Sequence, residues 1–194
     1  MTAVSSRFRP VALEHASRLI NHGPTVLVTS AHGGRRNVMA AAWSMPVEFV
    51  PPRIAVVIDK RTLTRELVLA GNGFALCIPG AGLADATYAV GNMSGRDQPD
   101  KFARYGLSER PGPVLGMPVI EAGCCAWLEC RLIREPHAET AYDTCFGEVV
   151  AAAADPRAFA EGRWATGPRD PSLDTLHHLG AGHFARATGV ISIK

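Results

Sequence analysis

Two short stretches bring together residue types that can do chemistry. Asn37-Val38-Met39-Ala40-Ala41-Ala42-Trp43 opens with an amide and continues through small residues. Such a run leaves the backbone accessible to a flat ligand lying close against it. Asp59-Lys60-Arg61-Thr62-Leu63-Thr64 sets charges and hydroxyls just after the apolar run Ile54 to Ile58. An Arg beside hydroxyls where a helix begins can hold an anion through charge-assisted bonds, free N–H groups and the positive end of the helix dipole. The same pattern also makes an ordinary strand-to-helix turn with a helix cap. A further polar loop, Asn92 to Lys101, carries Ser94, Arg96 and Lys101 and can reach the same anion. In this order, the pieces predict a site for a planar molecule with an anionic end.

Other chemistries find less support. Gly80-Ala81-Gly82 lacks the third glycine of a dinucleotide fingerprint, which is replaced by Asp85, and no phosphate-loop Gly-Lys-Ser/Thr occurs. His177, His178 and His183 cluster without a His-Glu-x-x-His spacing, so no metal site is predicted. His183, near Gly180 and Gly182, has the better claim among them to face a ligand. The five cysteines form no Cys-x-x-Cys pair, and adjacent Cys124 and Cys125 would point to opposite faces of a strand. They read as reduced thiols in a cytoplasmic core. No Gly-x-Ser-x-Gly elbow is present and no carboxylate pair stands out, which leaves chemistry supplied by a cofactor.

The formal net charge of +2 gives no reason to expect nucleic acid or an anionic membrane. The basic residues are 17 Arg and 3 Lys, scattered along the chain. The first twenty residues include Arg7, Arg9, Glu14 and Arg18, so no signal-peptide core is expected there. The glycosylation triplet Asn92-Met93-Ser94 then stays idle. No apolar run reaches a membrane-spanning length.

The elements that must position these residues follow from pattern. With 194 residues, 47% of them apolar, the chain predicts a single domain over 1–194. A helix is expected over Pro10 to Ile20, and strands over Thr25–Ser30, Val38–Trp43, Arg53–Ile58 and Phe74–Ile78. His32-Gly33-Gly34-Arg35-Arg36 predicts a hairpin turn between the first two strands. Short helices are expected over Thr64 to Ala70, Leu83 to Val90 and Asp100 to Tyr105. Later strands are Val119–Cys130, interrupted by Gly123, and Cys145–Ala153. Asp155 to Asp170 reads as a surface excursion that could cover a subunit. Many strands without helical crossovers predict an antiparallel barrel.

Taken in sequence, these stretches resemble the flavin reductase-like family of FMN-binding split barrels. The matching residues are Pro24–Ser30, Asn37–Trp43 followed by Pro51-Pro52, Thr62-x-Thr64, and Gly73-Phe74-Ala75-Leu76. Ser94 to Phe102, ending Asp100-Lys101-Phe102, then Leu128-Glu129-Cys130 and Gly147-Glu148-Val149 continue the match. His178-Leu179-Gly180 with His183-Phe184 resembles the closing segment of the flavoredoxin-like branch. The likeness spans roughly residues 20 to 190.

The resemblance implies a Greek-key split β-barrel with short flanking helices, forming a homodimer with FMN near the subunit interface. It implies FMN contacts at Thr29, Ser30, Asn37, Val38, Met39, Ala40, Ala41, Ala42, Arg61, Thr62, Thr64, Ser94 and Lys101. Arg61, Thr64 and Lys101 would meet the phosphate, and the backbone of Val38 to Ala42 would lie beside the ring. The implied activity is hydride transfer from NADH or NADPH to flavin N5, with reduced flavin serving an oxygenase or another electron-transfer partner. Many relatives carry Gly-Asp-His before the Gly-Glu-Val strand. Here Ala141-Tyr142-Asp143-Thr144-Cys145-Phe146 holds no histidine, leaving His183 or Tyr142 to line the nicotinamide side. That departure keeps open a non-catalytic FMN electron carrier reduced by a partner protein, and a barrel that has lost flavin altogether.

Overall fold

The computed structural model describes residues 6–165, 170–191 and 193. Its strands begin with β1 (Arg9–Pro10), β2 (Val26–His32), β3 (Arg35–Ala41), β4 (Ser44–Phe49), β5 (Pro52–Val57) and β6 (Gly73–Pro79). They continue with β7 (Glu109–Pro111), β8 (Pro118–Ile120), β9 (Cys124–Ile133), β10 (Thr144–Ala154), β11 (Phe159–Ala160) and β12 (Arg163–Trp164). A hairpin of β13 (Leu176–Gly180) and β14 (His183–Arg186) comes last. The α-helices are α1 (Leu63–Gly71), α2 (Ala84–Asn92), α3 (Lys101–Arg104) and α4 (Pro136–Ala141).

The main sheet is antiparallel throughout and runs β3-β2-β6-β9-β10-β5-β4, with β1 added beside β10. Its two ends, β3 and β4, follow one another in the chain, separated only by Ala42 and Trp43. The sheet therefore curls until its first and last strands leave from one corner, where Val57 N donates to Trp43 O at 3.0 Å. The two edge strands then part and stay unpaired with each other, as expected for a split barrel.

Both faces of the sheet are covered, which explains why β2 and β6 read as nearly continuous apolar runs rather than strict alternations. Val28, Leu76, Leu128, Phe74, Ile54 and Val56 fill the concave side together with Leu19 and Ile20. Leu27, Ala75, Cys77 and Trp127 point the other way and pack with Val90 of α2 and Phe102 of α3. A buried leucine such as Leu76 or Leu128, both fully buried, contributes roughly 1.5–3 kcal/mol relative to exposure. Cys125 belongs to the first cluster and Cys124 to the second, the opposite-face placement that strand geometry requires. All five cysteines are buried and none forms a disulfide.

Several local expectations change. The first helix is a 3-10 segment limited to Leu13–Leu19. Gly123, at φ +76°, divides the expected strand Val119–Cys130 into β8 and β9. In the Asp155 to Asp170 region, of which 166–169 lie outside the described residues, Ala158 and Phe159 enter the core and a short β11–β12 pair forms. The His32–Arg35 hairpin closes through Gly33 and Gly34 at φ +58° and +74°. Positive φ at both central positions is the type I′ geometry whose twist matches the flanking strands.

Candidate functional site

The free edge of β3 faces α2 and the loop leading to α3, and two adjoining clefts open along it. One, of about 360 Å³, is lined by Asn37, Met39, Arg61, Thr62, Thr64, Ser94 and Lys101, among others. Its neighbour, of about 260 Å³, is lined by Ala40, Ala41, Ala42, Thr25, His178 and Phe184 among others. Gly91 and Asn92 line both. From Asn37 to Ala42 an extended chain advances roughly 17 Å, so the two clefts together suit a long molecule laid along the strand.

The first cleft is built around a buried cation. Lys101 opens α3, whose N-cap Asp100 accepts a bond from Ala103 N at 3.1 Å. The Lys101 side chain is only 2% exposed, and its Nζ donates to Val38 O at 3.0 Å and Val90 O at 2.9 Å. Among the described residues no carboxylate forms an ion pair with it. Burial without a counter-charge pushes the Lys101 pKa down to about 8. An ammonium has three donors and two are taken by carbonyls, leaving one for a ligand. The arrangement accepts an anion.

Around that ammonium the hydroxyl groups are already organised. Thr62 caps α1 by accepting from Arg65 N at 3.1 Å, and its own hydroxyl donates to Asp59 O at 2.8 Å. Asn37 Nδ2 donates to Thr64 Oγ1 at 2.8 Å, joining β3 to α1. Gly95 packs so tightly on Asn37 that an added Cβ would run into its amide. Ser94 Oγ accepts from Arg96 N at 3.1 Å, while Arg96 pairs with Glu66 at 3.0 Å. Arg61 lines the cleft but its side chain is 86% exposed and grips Asp59 at 2.7 Å. That pairing, with the backbone N–H of Arg61, lowers the Asp59 pKa to about 2. Arg61 must therefore share its guanidinium with Asp59 if it meets an anion.

The second cleft places small side chains against open backbone. Val38 O points out of the sheet to Lys101. Peptide groups alternate sides along a strand, so the N–H and C=O of Ala40 face the same open edge. A Cβ on Gly91 would stand 3.2 Å from the Ala40 Cβ, so α2 lies close against the strand here. His178 and Phe184 pair across the β13–β14 hairpin, with ring centroids 5.1 Å apart. His178 N donates to Thr25 Oγ1 at 3.0 Å, which fixes the hairpin to the start of β2.

Of the residues singled out from sequence, Asn37, Met39, Arg61, Thr62, Thr64, Ser94 and Lys101 meet in one cleft, and Ala40, Ala41 and Ala42 in the other. Thr29, Ser30 and Val38 line neither. Thr29 and Ser30 are fully buried, donating to Pro118 O and, at 3.3 Å, to Thr64 O. The Val38 side chain packs in the outer apolar cluster. His183 is exposed: it neighbours Phe184 in sequence, and alternation along β14 turns it to the opposite face. His178 takes the place expected of it, a placement visible only once the hairpin register is known. Tyr142 is 65% exposed and lies edge-on to His137. His177 Nδ1 donates to Gly23 O at 3.1 Å.

An open antiparallel sheet with a cationic cleft and a small-residue cleft along one free edge is the architecture of a split barrel. The flavin reductase like domain family matches residues 18–173, and the chain belongs to that family. The protein YddH of Escherichia coli (strain K12), described as uncharacterized, is 58% identical over 181 residues, covering 92% of this chain and 94% of its own. A solved FMN-binding domain of a flavin reductases-like enzyme from Shewanella baltica is 35% identical with a TM-score of 0.93, covering 99% of this chain and all of that one. Flavoredoxin of Desulfovibrio vulgaris shares the fold at 22% identity and a TM-score of 0.73, over 100% and 94% of the two chains. Among the described residues no helix is long and apolar enough to cross a membrane.

Proposed function

We propose that the chain binds FMN along β3 and serves as an NAD(P)H:flavin oxidoreductase. The observation that carries this reading is the buried Lys101 ammonium, unpaired with any carboxylate, at one end of an open strand of small residues. Lys101, Thr62, Thr64 and Ser94 would hold the phosphate, with Arg61 contributing to the extent that Asp59 releases it. Ala40, Ala41 and Ala42 would flank the ring in the adjoining cleft. The residues present fit the cofactor: a buried cation awaits an anion, and the ring side presents backbone instead of bulky side chains. Bound FMN supplies the redox chemistry by accepting hydride from a nicotinamide. The chain's own part is to hold the phosphate by charge, orient the ring against β3 and keep water from its covered face.

A second reading rests on the exposed Tyr142 and the missing histidine between Ala141 and Phe146. It makes the chain an FMN electron carrier reduced by a partner protein. Anaerobic mixing of the FMN-loaded protein with NADH and with NADPH separates the two. The reductase reading expects the flavin absorbance to bleach with at least one donor. Persistent oxidised flavin with both leaves only the carrier.

Homodimerisation is part of the proposal. Trp43, just before the edge strand β4, and Met45, Val47 and Phe49 within it are 74%, 59%, 40% and 69% exposed, on both sides of a bulge between Pro46 and Glu48. Such an apolar edge calls for a covering surface, and a second copy supplies one. An oxygenase or other electron acceptor would then meet the assembled dimer. Five cysteines without a disulfide support a cytoplasmic location.

A further inference from the structure

The small-residue cleft contains two buried hydroxyls to which the proposed FMN contacts assign no role. Thr87, on α2, is fully buried, lines the cleft, and its Oγ1 meets no hydrogen-bond partner. A buried hydroxyl without a partner carries a desolvation cost that native structures rarely leave uncompensated. Thr25 lines the same cleft at 3% exposure. Its Oγ1 accepts from His178 N at 3.0 Å, and its own hydroxyl proton has no acceptor among the described residues. One hydroxyl comes from the start of β2 and the other from α2, so they approach the cleft from different elements. The Thr87 hydroxyl is used by no cap, and Thr25 Oγ1 serves the hairpin only as the acceptor of His178 N.

We propose that the hydroxyls of Thr87 and Thr25 form a hydrogen-bonding pair that seats the polar edge of the planar ring and fixes its orientation against Ala40–Ala42. No acidic side chain lines this cleft, so hydroxyl protons meet ring carbonyl or imino acceptors without competition. A hydroxyl both donates and accepts, which suits the alternating carbonyl and nitrogen atoms of a flavin edge. Thr87 and Thr25 act as positioning residues for the ring, separate from the phosphate group around Lys101. The inference rests on the FMN reading and deepens it.

The test titrates the full-length apoprotein with FMN, riboflavin and inorganic phosphate. Flavin binding is read by fluorescence quenching and phosphate by competition. Thr87→Val keeps the shape and removes the hydroxyl. It is expected to weaken FMN and riboflavin by a similar factor of about 5- to 10-fold, to shift the absorption bands of the bound flavin, and to leave phosphate affinity unchanged. Thr87→Ser keeps a hydroxyl and is expected to retain affinity. Thr25→Ser keeps both the acceptor for His178 N and the proton left for the ring, and is expected to retain affinity. Wild-type affinity for both flavins in Thr87→Val overturns the inference while leaving the FMN reading intact. Equal losses in the Val and Ser variants overturn it as well, because packing would then be the cause. A wild-type protein that binds neither flavin removes the FMN reading and this inference with it.

Discussion

Lys101 holds a positive charge where burial disfavours it. With its pKa pushed down to about 8 from an ordinary 10.5, the folded apoprotein binds that proton less readily than the unfolded chain. The penalty is fully present below pH 8 and is relieved as pH rises from about 8 to 10.5. The apoprotein should therefore gain stability across that window relative to a Lys101→Met variant, measured by urea unfolding at a series of pH values. The opposite slope would mean that the ammonium is not desolvated. A phosphate beside the same ammonium reverses the preference. FMN affinity should hold steady between about pH 7 and 8, where the phosphate (second pKa about 6) is a dianion, and fall above pH 8. Lys101→Met should bind FMN about 100-fold more weakly, since a buried charge-assisted bond contributes roughly 1.5–3 kcal/mol. Riboflavin, lacking the phosphate, should not feel the change. Arg61→Ala is expected to cost only about 10-fold in FMN affinity, because Asp59 already holds the exposed guanidinium. The sequence made both cations visible through their hydroxyl-rich surroundings. It could not rank them, since burial and ion pairing depend on long-range packing.

At the scale of elements, the site is a contact between β3, α1 and α2, and glycines set its tightness. Gly95→Ala would push Asn37 aside and break its bond to Thr64. We expect a loss of about 1–3 kcal/mol of stability together with weaker FMN binding, read from thermal melts and flavin titration of the same preparation. Ala42→Leu tests the ring cleft. Ala42 lines it but lies outside the buried core cluster, so a larger side chain should block flavin while the melting temperature stays within a few degrees. Ala41→Leu is a poorer probe, because Ala41 is packed in the interior and overpacking there has its own cost. The strands that carry these residues were readable in part: apolar runs mark β2, β5 and β6, and two glycines fix the β2–β3 hairpin, but β3 starts at the polar Arg35-Arg36-Asn37 and ends at Ala41, before the expected Trp43. Strand β4 was not, because Pro46 and Glu48 interrupt the pattern of an edge whose outward groups need no partner. Strands β13 and β14 escaped for a related reason. Their polar His177-His178 start reads as a loop, and only pairing with Thr25 at the head of β2 gives it a place.

On the scale of the whole molecule, one sheet carries two free edges with different characters. Strand β3 is covered by α2, α3 and the clefts between them, while β4 turns Trp43, Met45, Val47 and Phe49 outward. A bulge between Pro46 and Glu48 shifts the register of β4, so Met45, opposite Ala55, and Phe49, opposite Pro52, project from opposite faces, and the exposed apolar groups surround the edge of the strand. Among the described residues these side chains stay exposed, since the curl of the sheet has already brought β4 to its open corner beside Trp43. A second copy placed across this edge would also stand beside Ala42, the last residue of the ring cleft, so that assembly and flavin binding become linked. The wild type is expected to sediment as a dimer. Trp43→Glu with Phe49→Lys should sediment as a folded monomer, because both changed side chains are largely exposed and neither enters the core. If the linkage holds, that monomer binds FMN more weakly than the wild type, and raising its concentration restores part of the affinity. A double variant that stays dimeric removes β4 from the interface. A monomer with unchanged flavin affinity separates the two clefts of β3 from the apolar edge of β4.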